Sequence, residues 1–316
     1  MASIRNLRLN TKDPKVLIGP SSFGVINLSP LRQLIHAGFT IVDNPYKRRI
    51  NKDELLDLLP GVIGLIAGLE TLDKEVLGKS DLRIISRCGS GLSNIDLEAA
   101  HNLGIIVRNT PLAPVTAVAE LVVGCLFSLL RQVPQMDIAL HNKKWDKRIG
   151  RQLFDMEVAV IGLGNIGKKV AKLLSLFGAK VMGVDPLLSG LVDNVPIVSL
   201  NEAIKHADII TLHCSGENCL LGAREFGLMK QGIYLLNAAR GSLIDEKALK
   251  NALDSYQVAG AWLDTFTDEP YKGILCDCPQ VILTPHVGSY TKECRMTMEM
   301  QAANNLIEAF ENLKGK

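Results

Sequence analysis

No apolar run in this sequence is long enough to cross a bilayer. The greasiest stretch, Ala117 to Leu130, is interrupted by Glu120. It falls short of the roughly 20 residues that a span needs, so a buried helix is expected there. The opening residues, MASIRNLRLN, hold no apolar core of the kind a secretory signal peptide requires. An excess of one charge is lacking as well. Lys and Arg number 35 against 33 Asp and Glu, a net charge of +2, which is too little field to gather nucleic acid or an anionic membrane surface. The expected partner is a small molecule, with no nucleic acid and no membrane. Cysteine pairing is also missing. The seven cysteines are odd in number and scattered, unlike a secreted disulfide framework. Cys276 and Cys278 form a C-x-C pair with no second pair nearby, which argues against a zinc site. The expectation is no metal and a reduced, cytoplasmic protein.

What the sequence does have is alternation. Val16–Ile18, Thr40–Val42, Val62–Ala67, Leu82–Ser86 and Ile105–Val107 read as strands. Between them, Leu31–Ala37, Asp53–Leu59, Lys74–Leu77 and Asp96–His101 read as helices. Such alternation predicts a parallel sheet wrapped on both faces. Asn109-Thr110-Pro111 breaks the pattern, and a long helix is predicted from Val115 to Arg131, ended or kinked by Pro134. A second series follows, with strands at Val158–Ile161, Lys180–Val184, Ile209–Leu212, Ile233–Leu236, Gly260–Leu263 and Val281–Leu283, and a last helix from Thr291 to Leu313. With 316 residues, the chain exceeds what one core of roughly 250–300 residues holds. The fold class predicted is α/β with two doubly wound parallel-sheet domains.

One βα turn carries a motif. Gly162, Gly164 and Gly167 stand at G-x-G-x-x-G spacing in VAVIGLGNIGKKVAKLLSLFGAKVMGVD. The pattern alone is weak, but a strand precedes it, an amphipathic helix follows, and a second strand ends at Asp185, which together make a dinucleotide-binding unit. Gly162 permits the tight turn, Gly164 lets backbone approach a pyrophosphate, and Gly167 lets helix and strand pack closely. The helix starting at Asn165 and Ile166 offers unpaired N–H groups to phosphate. Asp185 is placed to accept hydrogen bonds from the adenosine ribose. Pro186-Leu187-Leu188 supplies no arginine for a 2′-phosphate, so NAD is expected rather than NADP.

Three polar residues follow later strands of that series. Arg240 lies in NAARGSLIDEKAL, Glu269 in LDTFTDEP and His286 in LTPHVGS. Taken singly they read as a surface cation, a loop acid and a capped turn residue. Taken together at one sheet edge, they suit hydride chemistry at a carbonyl. An arginine binds a carboxylate with two N–H donors. A histidine oriented by a carboxylate is a general acid.

These segments, with SRCGSGLSNIDLEAA at 86–100 and NTPLAPVTAVAEL at 109–121, resemble the D-2-hydroxyacid dehydrogenase family, on the branch that includes phosphoglycerate dehydrogenase. The resemblance covers nearly the whole chain. It implies NAD-dependent interconversion of a D-2-hydroxy acid and its 2-keto acid, with D-3-phosphoglycerate one candidate. Arg240 would bind the substrate carboxylate and carbonyl, and Glu269 with His286 would form the acid/base pair. Backbone N–H groups around Ser90 and Gly91 would grip the substrate carboxylate, and Asp264 would approach the nicotinamide carboxamide. His213, Cys214 and Ala238 would line the cofactor. A flavodoxin-like substrate domain (residues 1–108 and 287–316) would enclose an inserted Rossmann domain (109–286). The long helix after Asn109 would help form a homodimer.

The sequence departs from the family pattern in three places. LHCSGENCLLGARE shortens the usual loop on the adenosine side and puts Ser215 where proline is common. Ser93 stands where aspartate is frequent. Ala67-Gly68-Leu69 occupies a loop where several phosphoglycerate enzymes place an arginine for phosphate. Lys47, Arg48, Arg49 or Lys144 would be the substitutes, although a run such as 47–49 is more often a solvated face. A short form without the regulatory domain of longer relatives is expected. Two alternatives remain: a glyoxylate or hydroxypyruvate reductase, and an NAD-sensing binding protein with little turnover.

Overall fold

The computed structural model describes residues 14–216 and 218–315. The N-terminal segment read for a signal peptide, and Glu217 in the shortened loop, lie outside the described residues. Contacts divide the chain into two units. One runs to Pro114 and resumes at Ser289, and the other is Val115–Gly288.

The first unit is built on β1 (Lys15–Ile18), β2 (Thr40–Val42), β3 (Val62–Ala67), β4 (Ile84–Arg87) and β5 (Ile106–Asn109), all parallel, in the order β2-β1-β3-β4-β5. That order is the flavodoxin-like one. Successive residues of a strand face opposite sides, and both sides are apolar here. Leu17, Leu65, Ala67 and Ile85 pack against Leu55, Val76 and Ala99, which lie on helices α2 (Lys52–Leu58), α3 (Lys74–Gly78) and α4 (Leu97–Asn102). Val16, Ile18, Ile66 and Ile84 pack against Leu34 of α1 (Ser29–His36) and against Met298, Ala302, Leu306 and Phe310 of the C-terminal helix, Lys292–Lys314. Side-chain caps start these helices. Asn51 and Glu54 make a reciprocal capping box on α2, and Asp73, Asp96 and Thr291 cap α3, α4 and the last helix.

The second unit opens with α5 (Val115–Leu130) and α6 (Val133–His141). The apolar stretch read as a buried helix is one: Ala119, Val122, Leu126 and Leu130 are all fully buried. No single helix among the described residues is long and apolar enough to cross a membrane, while α5 and α6 pass such a test only as a pair bent by 65°. The expectation for Pro134 needs correction. The first helix has already stopped at Leu130, Gln132 takes a left-handed φ of 50°, and Pro134 sits in the first turn of α6. Proline is tolerated there because the first N–H groups of a helix have no intrahelical partner.

The unit continues with β6 (Glu157–Ile161), α7 (Asn165–Leu176), β7 (Lys180–Val184), β8 (Leu191–Val192), β9 (Val195–Pro196), α8 (Leu200–His206), β10 (Ile209–Leu212), α9 (Ala223–Leu228), β11 (Ile233–Asn237), α10 (Glu246–Asp254), β12 (Val258–Leu263) and β13 (Val281–Leu283). The large sheet is parallel, in the order β13-β12-β11-β10-β6-β7. Beyond the β8–β9 hairpin, which the sequence did not announce, Ile197 makes an isolated parallel bridge to Gly183 of β7. With that bridge taken as a vestigial strand, the order becomes 3-2-1-4-5-6 with a further strand at the end, which is Rossmann topology.

Candidate active site

The dinucleotide turn leaves β6, and Gly162 takes a φ of +92° there, a backbone conformation that side chains resist. A Cβ at Gly162 would also collide with the backbone of Cys214, and one at Gly167 with the carbonyl oxygen of Gly162. Gly164 differs, since a Cβ there would meet nothing within 4 Å. It is the N-cap of α7 and supplies no side chain to the first N–H groups, so the positive end of the helix faces open space with Asn165 exposed beside it. That cradle fits a pyrophosphate. Asp185, at the end of β7, accepts Leu163 N–H at 3.0 Å through Oδ2 and Leu187 N–H at 3.0 Å through Oδ1. Its carboxylate is thereby fixed beside the glycine turn. Ile166 and Ala238 pack on the apolar cluster of α5 and the sheet. His213 follows β10, and its Nε2 lies 2.8 Å from Thr211 Oγ1. Its Nδ1 is buried with no hydrogen-bond partner, and burial lowers the ring pKa to about 3. It is a neutral imidazole held against the cofactor turn.

Arg240, Glu269 and His286 come together at the carboxyl ends of β11, β12 and β13. Buried Asn237 shapes the Arg240 turn, donating from Nδ2 to Arg240 O at 2.8 Å and accepting Ala239 N–H at 3.0 Å. A Cβ at Gly241 would collide with the backbone of Phe266 and Thr267. Only a glycine lets the Arg240 turn lie directly on the loop that carries Glu269. Burial pulls the Arg240 pKa below its usual value, and Glu269 acts in the opposite direction. Glu269 is itself oriented, its Oε1 accepting Phe266 N–H at 3.1 Å. The ring Nδ1 of His286 lies 3.1 Å from each of its carboxylate oxygens. Side-chain exposures of 32% for His286 and 21% for Glu269 leave the pair reachable yet largely shielded from water.

The turn that carries His286 is held by residues whose connection the sequence does not reveal. His286 has a φ of +53°. Asp264, only 2% exposed, accepts Thr284 Oγ1–H at 2.6 Å and Val287 N–H at 2.9 Å through Oδ1, and Gly288 N–H at 2.8 Å through Oδ2. Trp262 Nε1 donates to Thr284 Oγ1 at 3.0 Å. Asp264 therefore brackets His286 on both sides, a positioning task beyond the cofactor contact expected of it. The only sequence signal for Thr284 is its place in TPHVGS.

In the first unit, Ser90 and Gly91 lie on the loop after β4. Asn109 Nδ2 donates to Ser90 O at 2.7 Å, and Gly89 and Thr110 are joined by Gly89 N–H to Thr110 Oγ1 at 2.9 Å and Thr110 N–H to Gly89 O at 3.0 Å. These bonds fix the loop and leave Ser90 exposed.

Comparison with known proteins agrees with this geometry. Residues 123–288 match the D-isomer specific 2-hydroxyacid dehydrogenase NAD-binding domain. The chain is 36% identical over 281 residues to D-3-phosphoglycerate dehydrogenase of Rattus norvegicus, covering 85% of this chain and 52% of the relative. The chain thus spans about half the length of the phosphoglycerate dehydrogenases it matches. It is 34% identical over 271 residues to hydroxypyruvate reductase of Thermotoga maritima, covering 82% and 88% of the two chains. A glyoxylate reductase structure from Paecilomyes thermophila superposes with a TM-score of 0.85 at 27% identity, covering 95% and 96%. This chain belongs to the D-isomer specific 2-hydroxyacid dehydrogenases, and its second unit holds their NAD-binding domain.

Proposed function

We propose that this chain is an NAD-dependent dehydrogenase that interconverts a D-2-hydroxy acid and its 2-keto acid. The observation that carries the reading is the Glu269–His286 pair with the Arg240 guanidinium beside it, at the same sheet edge as the glycine cradle. Gly162, Gly164, Asn165, Ile166 and Gly167 would hold the pyrophosphate, and Asp185 the ribose. His213, Cys214, Ala238 and Asp264 would flank the remainder of NAD. Bound NAD supplies or accepts the hydride. Arg240 would hold the substrate carboxylate and polarise the carbonyl. With Nδ1–H donated to Glu269, the His286 Nε2 is the atom that gives a proton to the carbonyl oxygen in reduction and takes it back in oxidation. Ser90 and Gly91 are the substrate-contacting candidates of the first unit, so that unit (1–108 and 287–316 by sequence) would be the substrate domain and the other (109–286) the cofactor domain.

We also propose a homodimer in a reducing, cytoplasmic setting. Val133, Ile138, Leu140, Trp145, Ile149 and Phe154 are all exposed, Trp145 by 80% and Ile149 by 95%. Exposed apolar side chains of this number, interspersed with Lys143, Lys144, Lys147 and Arg148, suit a partner surface with an apolar centre and a charged rim. All seven cysteines are free thiols. The test of the activity is NADH oxidation by the purified protein across a panel of 2-keto acids. Turnover with at least one supports the dehydrogenase. Tight NADH binding with no turnover on any overturns it in favour of the NAD-sensing reading.

A further inference from the structure

Arg240 and Glu269 stand on separate segments of the second unit, and those segments must keep register if both are to meet one substrate. Beyond the close approach of Gly241 to Phe266 and Thr267, a side chain ties the two together. It is Tyr271, on the loop that carries Glu269. Its ring stacks on Phe266, with centroids 4.1 Å apart and planes 19° from parallel. Phe266 is the residue whose N–H holds Glu269 Oε1. The phenol oxygen of Tyr271 donates to Glu246 Oε2 at 2.8 Å and accepts Leu275 N–H at 3.2 Å. Glu246 opens α10, and the path to it from Arg240 is stiff. A 3-10 turn, Gly241–Leu243, leads to Asp245. The Asp245 N–H donates to Leu221 O at 3.0 Å, and its Oδ1 accepts Lys247 N–H and Ala248 N–H at 3.0 Å each. A Cβ at Gly273 would collide with the Tyr271 ring, so the loop closes over that ring only with bare backbone.

Phenylalanine would supply the same stacking, so what the tyrosine adds is a hydroxyl with its donor and an acceptor position both engaged. Burial, reinforced by Glu246, pushes the phenol pKa up, and the group stays a donor at neutral pH. We propose that Tyr271 is a positioning residue for the acid/base pair. Through Phe266 it pins the Glu269 loop to the start of the helix that follows Arg240. The inference rests on the dehydrogenase reading and adds a residue to that site. A reacting group displaced by about 1 Å can cost about a hundredfold in rate. A fastening of this kind therefore acts on kcat and leaves NADH affinity alone, since Tyr271 has no part in the glycine cradle.

The test is a double-mutant cycle on NADH-dependent reduction of a 2-keto acid that the wild type turns over. Tyr271→Phe should lower kcat by about tenfold with NADH affinity unchanged. Glu246→Ala should cost about as much, and Glu246→Gln, which keeps an acceptor oxygen, should recover most of the loss. This pair carries the same comparison if Tyr271→Phe folds poorly. In a Glu269→Ala background Tyr271→Phe should cause no further loss, because a residue acting through Glu269 has nothing left to act on. A merely structural Tyr271 would lower the melting temperature and leave kcat of the folded enzyme intact, or its effect would multiply with that of Glu269→Ala. Either result overturns the proposal. A second readout needs no turnover. At alkaline pH, where an imidazole is neutral, the nitrogen NMR shifts of His286 report which ring nitrogen holds the proton. Tyr271→Phe should raise the Nε2–H share, in the same direction as Glu269→Ala. An unchanged tautomer ratio contradicts the inference, while turnover of no keto acid defeats the dehydrogenase reading alone.

Discussion

His213 shows how one side chain ties stability to pH. Its ring is buried and neutral, with a pKa near 3, against roughly 6.5 in an unfolded chain. Between these values the unfolded state binds a proton that the folded state refuses, so stability is lost as pH falls below about 6.5. The expected slope from this group is about 1.4 kcal/mol per pH unit, ending near pH 3. Urea titrations from pH 7 to pH 4 should show it, and His213→Asn should remove one proton's worth of the slope. An unchanged slope would mean that His213 is protonated in the folded protein. At the site itself, His286→Ala should lower kcat by about a hundred- to ten-thousand-fold. Glu269→Gln should also lower kcat, with little change in NADH affinity by fluorescence titration. Arg240, Glu269 and His286 stand out in the sequence because each follows an apolar strand in a short polar segment. The bracketing of His286 by Asp264 does not, because a carboxylate bonded to backbone N–H groups more than twenty residues away leaves no local pattern.

The turns depend on glycines that bring one loop onto another. A methyl group on Gly241 must displace the backbone of Phe266 and Thr267, so Gly241→Ala should destabilise the protein by about 1–3 kcal/mol. It should also push the Arg240 turn off the Glu269 loop. Thermal melts and kcat should therefore both fall, and a variant with wild-type values would contradict the close approach. Element type is largely legible from apolar periodicity: the parallel strands of both sheets fall within a few residues of their predicted places. Pro134 misleads because the same residue that interrupts a helix interior also suits a first turn, and the difference lies in the left-handed Gln132 before it. The Ile197 bridge is invisible for another reason: a strand of one paired residue has no period to read.

For the molecule as a whole, alternation predicts two wrapped parallel sheets, whereas the expected dimer, with the long helix after Asn109 taking part, comes from the resemblance alone. The exposed side chains between Val133 and Phe154 support that expectation. Trp145→Glu combined with Ile149→Glu should turn a dimer into a monomer in sedimentation velocity; a wild type that sediments as a monomer at micromolar concentration would refute the dimer. The most direct test of the central claim, carbonyl reduction directed by Arg240 beside the Glu269–His286 pair, is kcat/KM for NADH-dependent reduction of a 2-keto acid by Arg240→Ala. The account predicts a fall of about a hundredfold or more with NADH affinity retained. An Arg240→Ala enzyme as active as the wild type would contradict it.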